Sequence, residues 1–592
     1  MAMKLKTPHM ETVLCLLVGV VLITASSRHI HLSLFNFLYH TPYWKKVSHV
    51  LSHVLVAYGI LFLGLAFLSY LLSLRGTSLL STVANRSRQA VIELRQALSS
   101  SIRDGLASRQ DVAWLLAACA LGLAIRGFFL AQPMRADESY TFLSLVKRGP
   151  FFLFSYRHPN NHVLHTLLVK LSTLLWGAHP VSIRFPAFLF GIASVPLTFC
   201  LCRKLLRERS GILASTAMAV APYMVLYSTN ARGYSLLVFL TLALAFMGVH
   251  VAEKPSLPGW ALLSLIAALG MMTMPTMVFA IAGLYLWLVC LLLLNRKTFA
   301  AILREFLIPC GIMTFAFTLI LYTPTIVASG GVRSIVASPA MQKRSLPWND
   351  FLHWVYPHVR TVFSDFSRDI PDLALFMGAI LLMLGMLGAA KRRDWALLLL
   401  LPSMLLGAGA VFLAKHSIPA SRIWIYWVPF ALVLADSGFN YLGEKLPRTL
   451  HFLLPLLLVT VGSLYAVSLM SKDTITREPA TGYFPEAPYV AKYLKPLTSN
   501  NVIVHVADPT RNPMRFYLWY YGVPHAKKTA NLRVGKEFFV VKKSRYTIDD
   551  LTEKPVMKLL DFDDAALYQL LPTEEIPTEK AMDRPNKGAV PH

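Results

Sequence analysis

Two adjacent carboxylates, Asp137 and Glu138, follow a long apolar segment of this chain, in the sequence Arg-Ala-Asp-Glu-Ser-Tyr that begins at Arg135. A carboxylate held beside a hydroxyl group can remove its proton as the hydroxyl attacks another atom. The pair is therefore a candidate for acid–base chemistry at a membrane surface. The simpler alternative is that the two acids stabilise the start of the following helix, because carboxylates favour helix N-termini.

Further polar side chains that could bind a substrate stand in connectors between apolar segments. They are His158, Asn160, Asn161 and His162 with Arg184 at the end of the same connector, then Tyr227, Arg232 and Tyr234, and finally Lys415 and Arg422. Fixed guanidinium groups can hold a phosphate diester and stabilise the charge that grows on it as a bond to it breaks. Since a lipid phosphate leaves readily, one base and one or two arginines are enough to transfer a group from a lipid-linked phosphate. The alternative is that the arginines are interfacial anchors that reach towards lipid headgroups.

The histidines leave a second kind of site open. His158, His162 and His165 are spaced to share a helical face and could hold a divalent metal together with Asp137 or Glu138. Polar histidines at the membrane interface are the other interpretation. The sequence therefore requires no cofactor, and a divalent metal bound by His158 and His162 stays an alternative.

Composition places the chain among polytopic membrane proteins. Its 592 residues are 55% hydrophobic and only 15% charged, which is too apolar for one soluble domain. The net charge of +26 does not indicate nucleic-acid binding, because the basic residues stand in short connectors between apolar segments. The six cysteines lie in or beside apolar segments without metal-ligand spacing, which argues against a zinc site or a disulfide framework.

About thirteen segments are long and apolar enough to cross a bilayer. They cover residues 10–27, 50–74, 112–131, 181–202, 211–227, 234–252, 260–275, 277–294, 306–323, 373–390, 395–414, 423–439 and 450–470. Every second connector is basic, beginning with 75–111, which predicts that these connectors are cytoplasmic. The connectors that carry the candidate residues then all face the opposite side.

The predicted organisation has four parts. Residues 1–111 form two N-terminal spans and a basic cytoplasmic connector, and 112–470 form a transmembrane catalytic core with outer loops at 132–180 and 324–372. Residues 471–572 combine alternating apolar stretches at 501–506 and 537–541 with helix-like ones, which predicts a small extracytoplasmic α/β domain. The Pro-, Glu- and Lys-rich residues 573–592 are expected to be a disordered tail.

Taken together, these residues resemble the GT-C membrane glycosyltransferases. The resemblance rests on the acidic pair, the Asn-Asn-His stretch, the Arg-x-Pro at Arg184, the turn from Tyr227 to Tyr234, the late Arg422 before an aromatic segment, and the outer C-terminal domain. It spans about 112–570 and is strongest over 135–235. The group it resembles most is glycosyltransferase family 39, with the protein O-mannosyltransferases and the lipid A aminoarabinose transferases.

The resemblance implies a fold, a reaction and residue roles. The fold would be an α-helical polytopic GT-C core with a small C-terminal α/β domain, in the bacterial inner membrane with the site facing the periplasm. A sugar would move, with inversion, from a polyprenyl-phosphate donor to lipid A, an envelope glycan or a protein. Asp137 would be the base, Glu138 would help to orient a substrate, and Arg232 and Arg422 would bind the donor phosphate. Substrate contacts would come from Asn160, Asn161, His162, Tyr227, Tyr234, Arg184 and Lys415.

Two positions depart from the aminoarabinose branch. Asn160-Asn161-His162 replaces a frequent Lys-Pro-Pro, and Asn230 stands where an acidic residue is common before the turn arginine. An oligosaccharide or glycan ligase would share this fold and most of this chemistry. A secondary transporter is the other alternative, although transporters place charged groups at mid-membrane, whereas the polar groups here lie at span ends.

Overall fold

The computed structural model describes most of the chain. The residues it does not describe are 1–9, 27–41, 76, 106–108, 157–159, 207–210, 296, 337–345, 417, 448–449, 478–480, 498–502, 524–535 and 572–592. The predicted tail at 573–592 and the candidate ligand His158 therefore lie outside the described residues.

Helices dominate the described part of the chain. In chain order they are α1 (Met10–Ala25), α2 (Pro42–Leu74), α3 (Leu79–Gly105), α4 (Arg109–Leu130), α5 (Ala136–Thr141), α6 (Pro150–Phe154), α7 (Val163–Trp176), α8 (Pro180–Leu206), α9 (Ile212–Val220), α10 (Pro222–Ser228), α11 (Tyr234–Glu253), α12 (Leu257–Thr273), α13 (Met277–Leu294), α14 (Phe299–Ile302), α15 (Ile308–Ser329), α16 (Val332–Val336), α17 (Trp348–Ser367), α18 (Asp372–Arg392), α19 (Trp395–Lys415), α20 (Val428–Gly443), α21 (Leu450–Ser471), α22 (Ala487–Leu494) and α23 (Arg511–Tyr520). Short π-helices cover Phe142–Val146 and Leu303–Leu307, and 3-10 turns cover Ser421–Trp427 and Lys495–Leu497.

The chain divides into two compact units. The first contains Met1–Ala131 and Ser144–Ile475, and the second contains Gln132–Leu143 and Thr476–His592. The segment that carries the acidic pair thus belongs to the same unit as the C-terminal part of the chain, although more than 300 residues separate them in sequence.

The first unit has the helices of a polytopic membrane protein. Within the described residues, nine helices are long and apolar enough to cross a membrane, and each corresponds to one of the thirteen predicted spans. The remaining four predicted spans appear as shorter helices. Those at 10–27, 260–275 and 423–439 are helices of 16, 17 and 16 residues, and the one at 211–227 is interrupted.

The centre of the first unit is α11. This helix is apolar on all sides and almost entirely buried, as expected for a helix that is surrounded by others. Its neighbours include α8, α12 and α13. Because Tyr234 is its first residue, the turn that carries Arg232 lies directly before this rigid central helix.

The interrupted span at α9 and α10 has a physical cause. Pro222 has no backbone N–H, so the helical hydrogen bonds stop before it and the carbonyl groups of the preceding turn lose their partners. The guanidinium group of Arg126, from α4, donates to the carbonyl oxygens of Met218 at 2.9 Å and Ala219 at 2.5 Å. At the other end of α9, the buried carboxylate of Asp436 accepts the backbone N–H of Ala214 at 3.2 Å.

Charged side chains from other helices thus satisfy both ends of α9. The anion stands at the N-terminus and the cation at the C-terminus, as the helix dipole favours. In a low-dielectric surrounding, such backbone groups need protein partners because water is not available. The break is therefore a stable feature, and α10 runs from it to the turn before α11.

Within the described residues, the second unit contains a four-stranded sheet and the helices α5, α22 and α23. The strands β1 (Ile503–Val506), β2 (Glu537–Lys542), β3 (Val556–Asp561) and β4 (Ala565–Leu570) are arranged in the order β1-β2-β4-β3. The strand β1 pairs parallel to β2, and the other two pairs are antiparallel. The predicted small α/β domain is confirmed, and β3 and β4 are elements that the sequence analysis did not predict.

Within this second unit, the segment 132–143 packs against α23. The ring of Phe142 lies 5.6 Å from that of Phe516 and 5.1 Å from that of Trp519, both on α23. The backbone N–H of Met134 donates to the hydroxyl of Tyr517 at 3.0 Å. Aromatic contacts and hydrogen bonds therefore fix this segment at both of its ends.

Candidate functional site

The two acids of the candidate pair have different environments. Glu138 is fully buried, and its Oε1 accepts the backbone N–H of Arg135 at 2.8 Å, which closes the first turn of α5. Asp137 is partly exposed. The capping role proposed for the pair as a simpler alternative is thus carried by Glu138, while Asp137 is the more exposed member of the pair.

Arg135 holds the acidic helix in place. Its buried guanidinium donates to the hydroxyl of Thr481, to Oε1 of Gln132 at 2.9 Å and to the carbonyl oxygen of Thr476 at 3.3 Å. The sequence analysis missed this positioning role. The available signal was an arginine two residues before a pair of acids at a helix start.

A glycine allows the close approach of the two chain segments. Gly482 has a φ of +71°, and its carbonyl oxygen accepts the backbone N–H of Ala136 at 3.2 Å. A Cβ atom at Gly482 would stand 2.4 Å from the Cβ of Ala136, a distance that real Cβ atoms do not adopt. The position of α5 therefore requires glycine at 482 for both conformation and space.

In the first unit, Arg232 contacts the Asn-Asn-His stretch. Its Nη1 donates to the carbonyl oxygen of Asn160 at 2.7 Å, and its Nη2 lies 3.3 Å from Nε2 of His162. On the other side of the imidazole ring, Nδ1 of His162 accepts the backbone N–H of Gly233 at 2.8 Å. These contacts join two connectors that are about 70 residues apart in sequence.

Two donors face the ring of His162 from opposite sides. Burial is the main cause that holds the pKa of His162 well below its ordinary value of 6.5, followed by the positive charge of Arg232, so the ring is neutral. A neutral imidazole accepts a hydrogen bond at one nitrogen only, whereas the backbone N–H of Gly233 and the guanidinium of Arg232 can only donate. Only one of these two contacts can therefore be a hydrogen bond at a time.

A second arginine, Arg422, lies near the aromatic ring of Tyr234, as Arg232 does. The guanidinium carbons of Arg232 and Arg422 each lie 5.9 Å from the centre of the Tyr234 ring. The rings of His162 and Tyr227 pack edge-on against Tyr234 at 5.1 and 4.6 Å. Two cations around one aromatic ring form a positively charged cluster suited to an anion.

Buried polar atoms beside this cluster also indicate a binding site. The side-chain oxygen and nitrogen of Asn230 have no hydrogen-bond partner among the described residues, although Asn230 is only 1% exposed. The same holds within these residues for Nε2 of His165. A buried polar group without a partner costs about 1–3 kcal/mol, so such atoms favour a bound polar ligand.

A family model matches part of the first unit. A model of the dolichyl-phosphate-mannose-protein mannosyltransferase family matches residues 157–322, the stretch that contains His162, Arg232 and Tyr234. No curated protein matches the chain.

Among solved structures, the chain is similar to ArnT from Cupriavidus metallidurans bound to undecaprenyl phosphate. The identity is 14%, the TM-score is 0.52, and the match covers 78% of this chain and 99% of that one. The apo form of the same protein matches at 12% identity and a TM-score of 0.51, over 77% and 98% of the two chains. The chain has the GT-C glycosyltransferase fold. The predicted fold class and the predicted resemblance are thus confirmed.

The other candidate residues of this GT-C protein have structural contacts of their own. The side chain of Asn161 donates to the carbonyl oxygens of Leu153 and Ser155 and accepts from Thr166, so its hydrogen bonds hold the connector together. The buried Arg184 donates to the carbonyl oxygen of Leu130 at 2.9 Å.

Lys415 and the metal alternative complete the set of candidates. Lys415 is exposed at the end of α19, and its ammonium group lies 6.0 Å from the centre of the Phe279 ring. Within the described part of the chain, no group of three His, Cys, Asp or Glu side chains could hold a metal ion, and His158 lies outside that part.

Proposed function

We propose that this GT-C protein is a membrane glycosyltransferase that moves a sugar from a polyprenyl-phosphate-linked donor to an extracytoplasmic acceptor. The observation that carries the proposal is the cationic cluster around Tyr234, where the guanidinium groups of Arg232 and Arg422 lie at the same aromatic ring. The undecaprenyl phosphate bound by the ArnT from Cupriavidus metallidurans supports a polyprenyl phosphate as the sugar carrier.

The reaction needs one displacement at the anomeric carbon. The acceptor hydroxyl oxygen forms a bond to that carbon, the bond from carbon to the phosphate oxygen breaks, and its electron pair leaves with the polyprenyl phosphate. The carboxylate of Asp137 takes the hydroxyl proton. Attack opposite the leaving group inverts the configuration, and the product lipid keeps its phosphate.

Each residue role follows from its environment. Asp137 is the proposed base because its carboxylate is the accessible member of the pair. Glu138 is a positioning residue, because its carboxylate closes the turn that presents Asp137. Arg232, Arg422 and His162 bind the donor phosphate, whose charge grows as the glycosidic bond breaks, so their stabilisation is strongest in the transition state.

We also propose an orientation in the bacterial plasma membrane. The basic connectors would face the cytoplasm, and the second unit with the candidate residues would face the periplasm. The acceptor is a lipid, a glycan or a protein on that side.

Transfer by the purified full-length chain tests the proposal. The chain is reconstituted in vesicles with polyprenyl-phosphate-linked sugars and an envelope extract as acceptor, and released polyprenyl phosphate is quantified by mass spectrometry. We expect Asp137→Asn to lower kcat at least 100-fold, because an amide cannot take the proton. Asp549→Asn is the matched control, since Asp549 is an exposed carboxylate of the same unit.

Each outcome discriminates between functions. Turnover retained by Asp137→Asn would remove Asp137 from the role of base. Movement of whole glycans from a lipid diphosphate would identify a ligase, and solute transport without sugar transfer would identify a transporter. Either of these results would overturn the proposed reaction.

A further inference from the structure

The helix α3 (Leu79–Gly105) is attached to the membrane part of the chain at both ends. It follows α2, which ends at Leu74, and precedes α4, which begins at Arg109, and both neighbours are candidate membrane spans. Connections of three or four residues cannot carry α3 far from the ends of these spans. The helix must therefore lie at the membrane surface, on the side where α2 ends and α4 begins.

One side of α3 is fixed to protein. Leu94 packs against the main apolar core of the first unit. The hydroxyl of Ser256 donates to the carboxylate of Glu93 at 2.5 Å and accepts the backbone N–H of Gly259 at the start of α12. The acidic group of Glu93 is thus used within the protein.

A second side of α3 is apolar and uncovered by protein. Leu80 and Val91 are 71% and 66% exposed. Leu80 and Val91 are separated by about three helical turns and point to the same side. Apolar side chains in water lose the favourable free energy of burial, so this strip favours an apolar environment.

Arginines border the uncovered strip. Arg88 and Arg95 are exposed, and they stand three residues before and four residues after Val91. Residues at these spacings are neighbours on a helix surface. Apolar side chains with arginines beside them match the acyl chains and the anionic headgroups of a lipid monolayer.

We propose that α3 is a binding surface for anionic phospholipids, with Val91 and Leu80 against the acyl chains and Arg88 and Arg95 against the phosphates. The occupant is a lipid because the uncovered strip runs along a helix held at the membrane surface at both ends. This role does not rest on the proposed glycosyl transfer.

Lipid binding to the full-length chain in detergent tests the proposal. Native mass spectrometry measures the apparent Kd for phosphatidylglycerol and for phosphatidylcholine. We expect the wild-type chain to bind phosphatidylglycerol more tightly. The double variant Arg88→Gln/Arg95→Gln should weaken that binding about 10- to 30-fold, because each arginine near an anionic surface contributes about 1 kcal/mol.

The matched control is Arg333→Gln/Arg360→Gln, which removes two exposed arginines outside α3. Equal weakening by both double variants, or equal binding of the two lipids by the wild-type chain, would overturn the proposal. Should the α3 variant fail to fold, Arg88→Lys/Arg95→Lys should keep the preference for phosphatidylglycerol. Raising the salt concentration should reduce that preference in the wild-type chain, and a preference independent of salt would count against it.

A second measurement locates the lipid on the helix. The photocrosslinking residue p-benzoyl-phenylalanine at position 91 should capture acyl chains in vesicles, whereas the same residue at position 89, on the polar side of α3, should not. Equal capture at both positions contradicts the proposed orientation.

Discussion

At the residue scale, His162 is held by contacts on both sides of its ring. The N–H of Gly233 donates to Nδ1 at 2.8 Å, and Nη2 of Arg232 lies 3.3 Å from Nε2. Gly233 also leaves little room, since a Cβ atom there would lie 3.0 Å from Nδ1 of His162. The buried ring is therefore neutral and fixed in orientation.

Removal of Arg232 should weaken donor binding. A hydrogen bond to a charged group contributes about 1.5–3 kcal/mol, so we expect Arg232→Ala to raise the donor KM about 10- to 100-fold. Steady-state kinetics with varied polyprenyl-phosphate sugar measures this change. Arg360→Ala, at an exposed arginine, should leave KM as it is. A donor KM unchanged in Arg232→Ala would exclude a phosphate contact.

His165 should make the stability depend on pH. Burial, and then Arg232, lower the pKa of His165 to about 3, whereas the unfolded chain has a histidine pKa of about 6.5. Between these values the unfolded state binds more protons, so the stabilisation is complete above about pH 6.5 and is lost as the pH falls, by about 1.4 kcal/mol per pH unit. We expect the Tm of His165→Gln to fall less than that of the wild-type chain between about pH 6.5 and pH 5.

Intrinsic fluorescence during heating measures these Tm values. His353→Gln is the control, because His353 is exposed and should leave the wild-type pH dependence intact. A pH dependence that is the same in all three proteins contradicts the role given to His165.

At the scale of elements, α5 depends on contacts with the C-terminal part of the chain. Arg135 reaches Thr481 and Thr476, and Ala136 reaches Gly482. The short α5 has too few residues to be stable in isolation. Its conformation, and with it the presentation of Asp137, is therefore a property of the second unit.

Alanine substitutions at Gly482 and Gly522 should distinguish the effect of a steric clash from that of backbone strain. Gly482→Ala and Gly522→Ala both place alanine at a φ near +70°, which costs about 1 kcal/mol. Only at Gly482 would the new Cβ clash, because nothing lies within 4 Å of the corresponding atom at Gly522. We expect Gly482→Ala to lower the Tm more than Gly522→Ala does. Gly482→Ala should also expose the segment 132–143 to proteases and reduce sugar transfer, whereas Gly522→Ala should have little effect on either. Equal effects in both variants would show that strain alone matters.

At the scale of the whole molecule, the second unit is formed from two distant parts of the chain. Its α23 contributes Phe516 and Tyr517, which contact Phe142 and Met134 of the segment 132–143. A chain that ends between the two parts would keep the segment 132–143 and lack α23. During synthesis, the acidic segment is therefore made well before the C-terminal part that contacts it.

An isolated fragment should show this dependence. We expect the fragment 476–592 to bind apolar dyes, because Phe516 and Tyr517 lose their cover, and expect fusion of 132–143 to its N-terminus to reduce the dye signal and raise the Tm. A fusion with Phe142→Ala is the control and should give only part of the gain. No difference between the fragment and the fusion would contradict the two-part unit.

The sequence predicted elements better than contacts. In the part of the chain that the structure describes, nine predicted spans match nine helices, because length and apolar composition are local properties. The span at 211–227 was wrong as one helix, since Pro222 interrupts it and Arg126 stabilises the break. The strands at Val556–Asp561 and Ala565–Leu570 were missed, because β3 is mostly uncovered and lacks a clear alternation of apolar residues.

The sequence by itself determined the membrane class, most of the helices, the C-terminal domain and the types of residue that could bind a lipid phosphate. Only the tertiary structure decided that Arg232, Arg422 and His162 contact one ring, that Gly233 and Arg232 hold His162 from two sides, and that Glu138 is buried while Asp137 is partly exposed. Composition and periodicity follow from neighbours in the chain, so they can be predicted locally. Protonation, burial and shared contacts depend on groups that folding brings together from distant positions, so the structure alone specifies them.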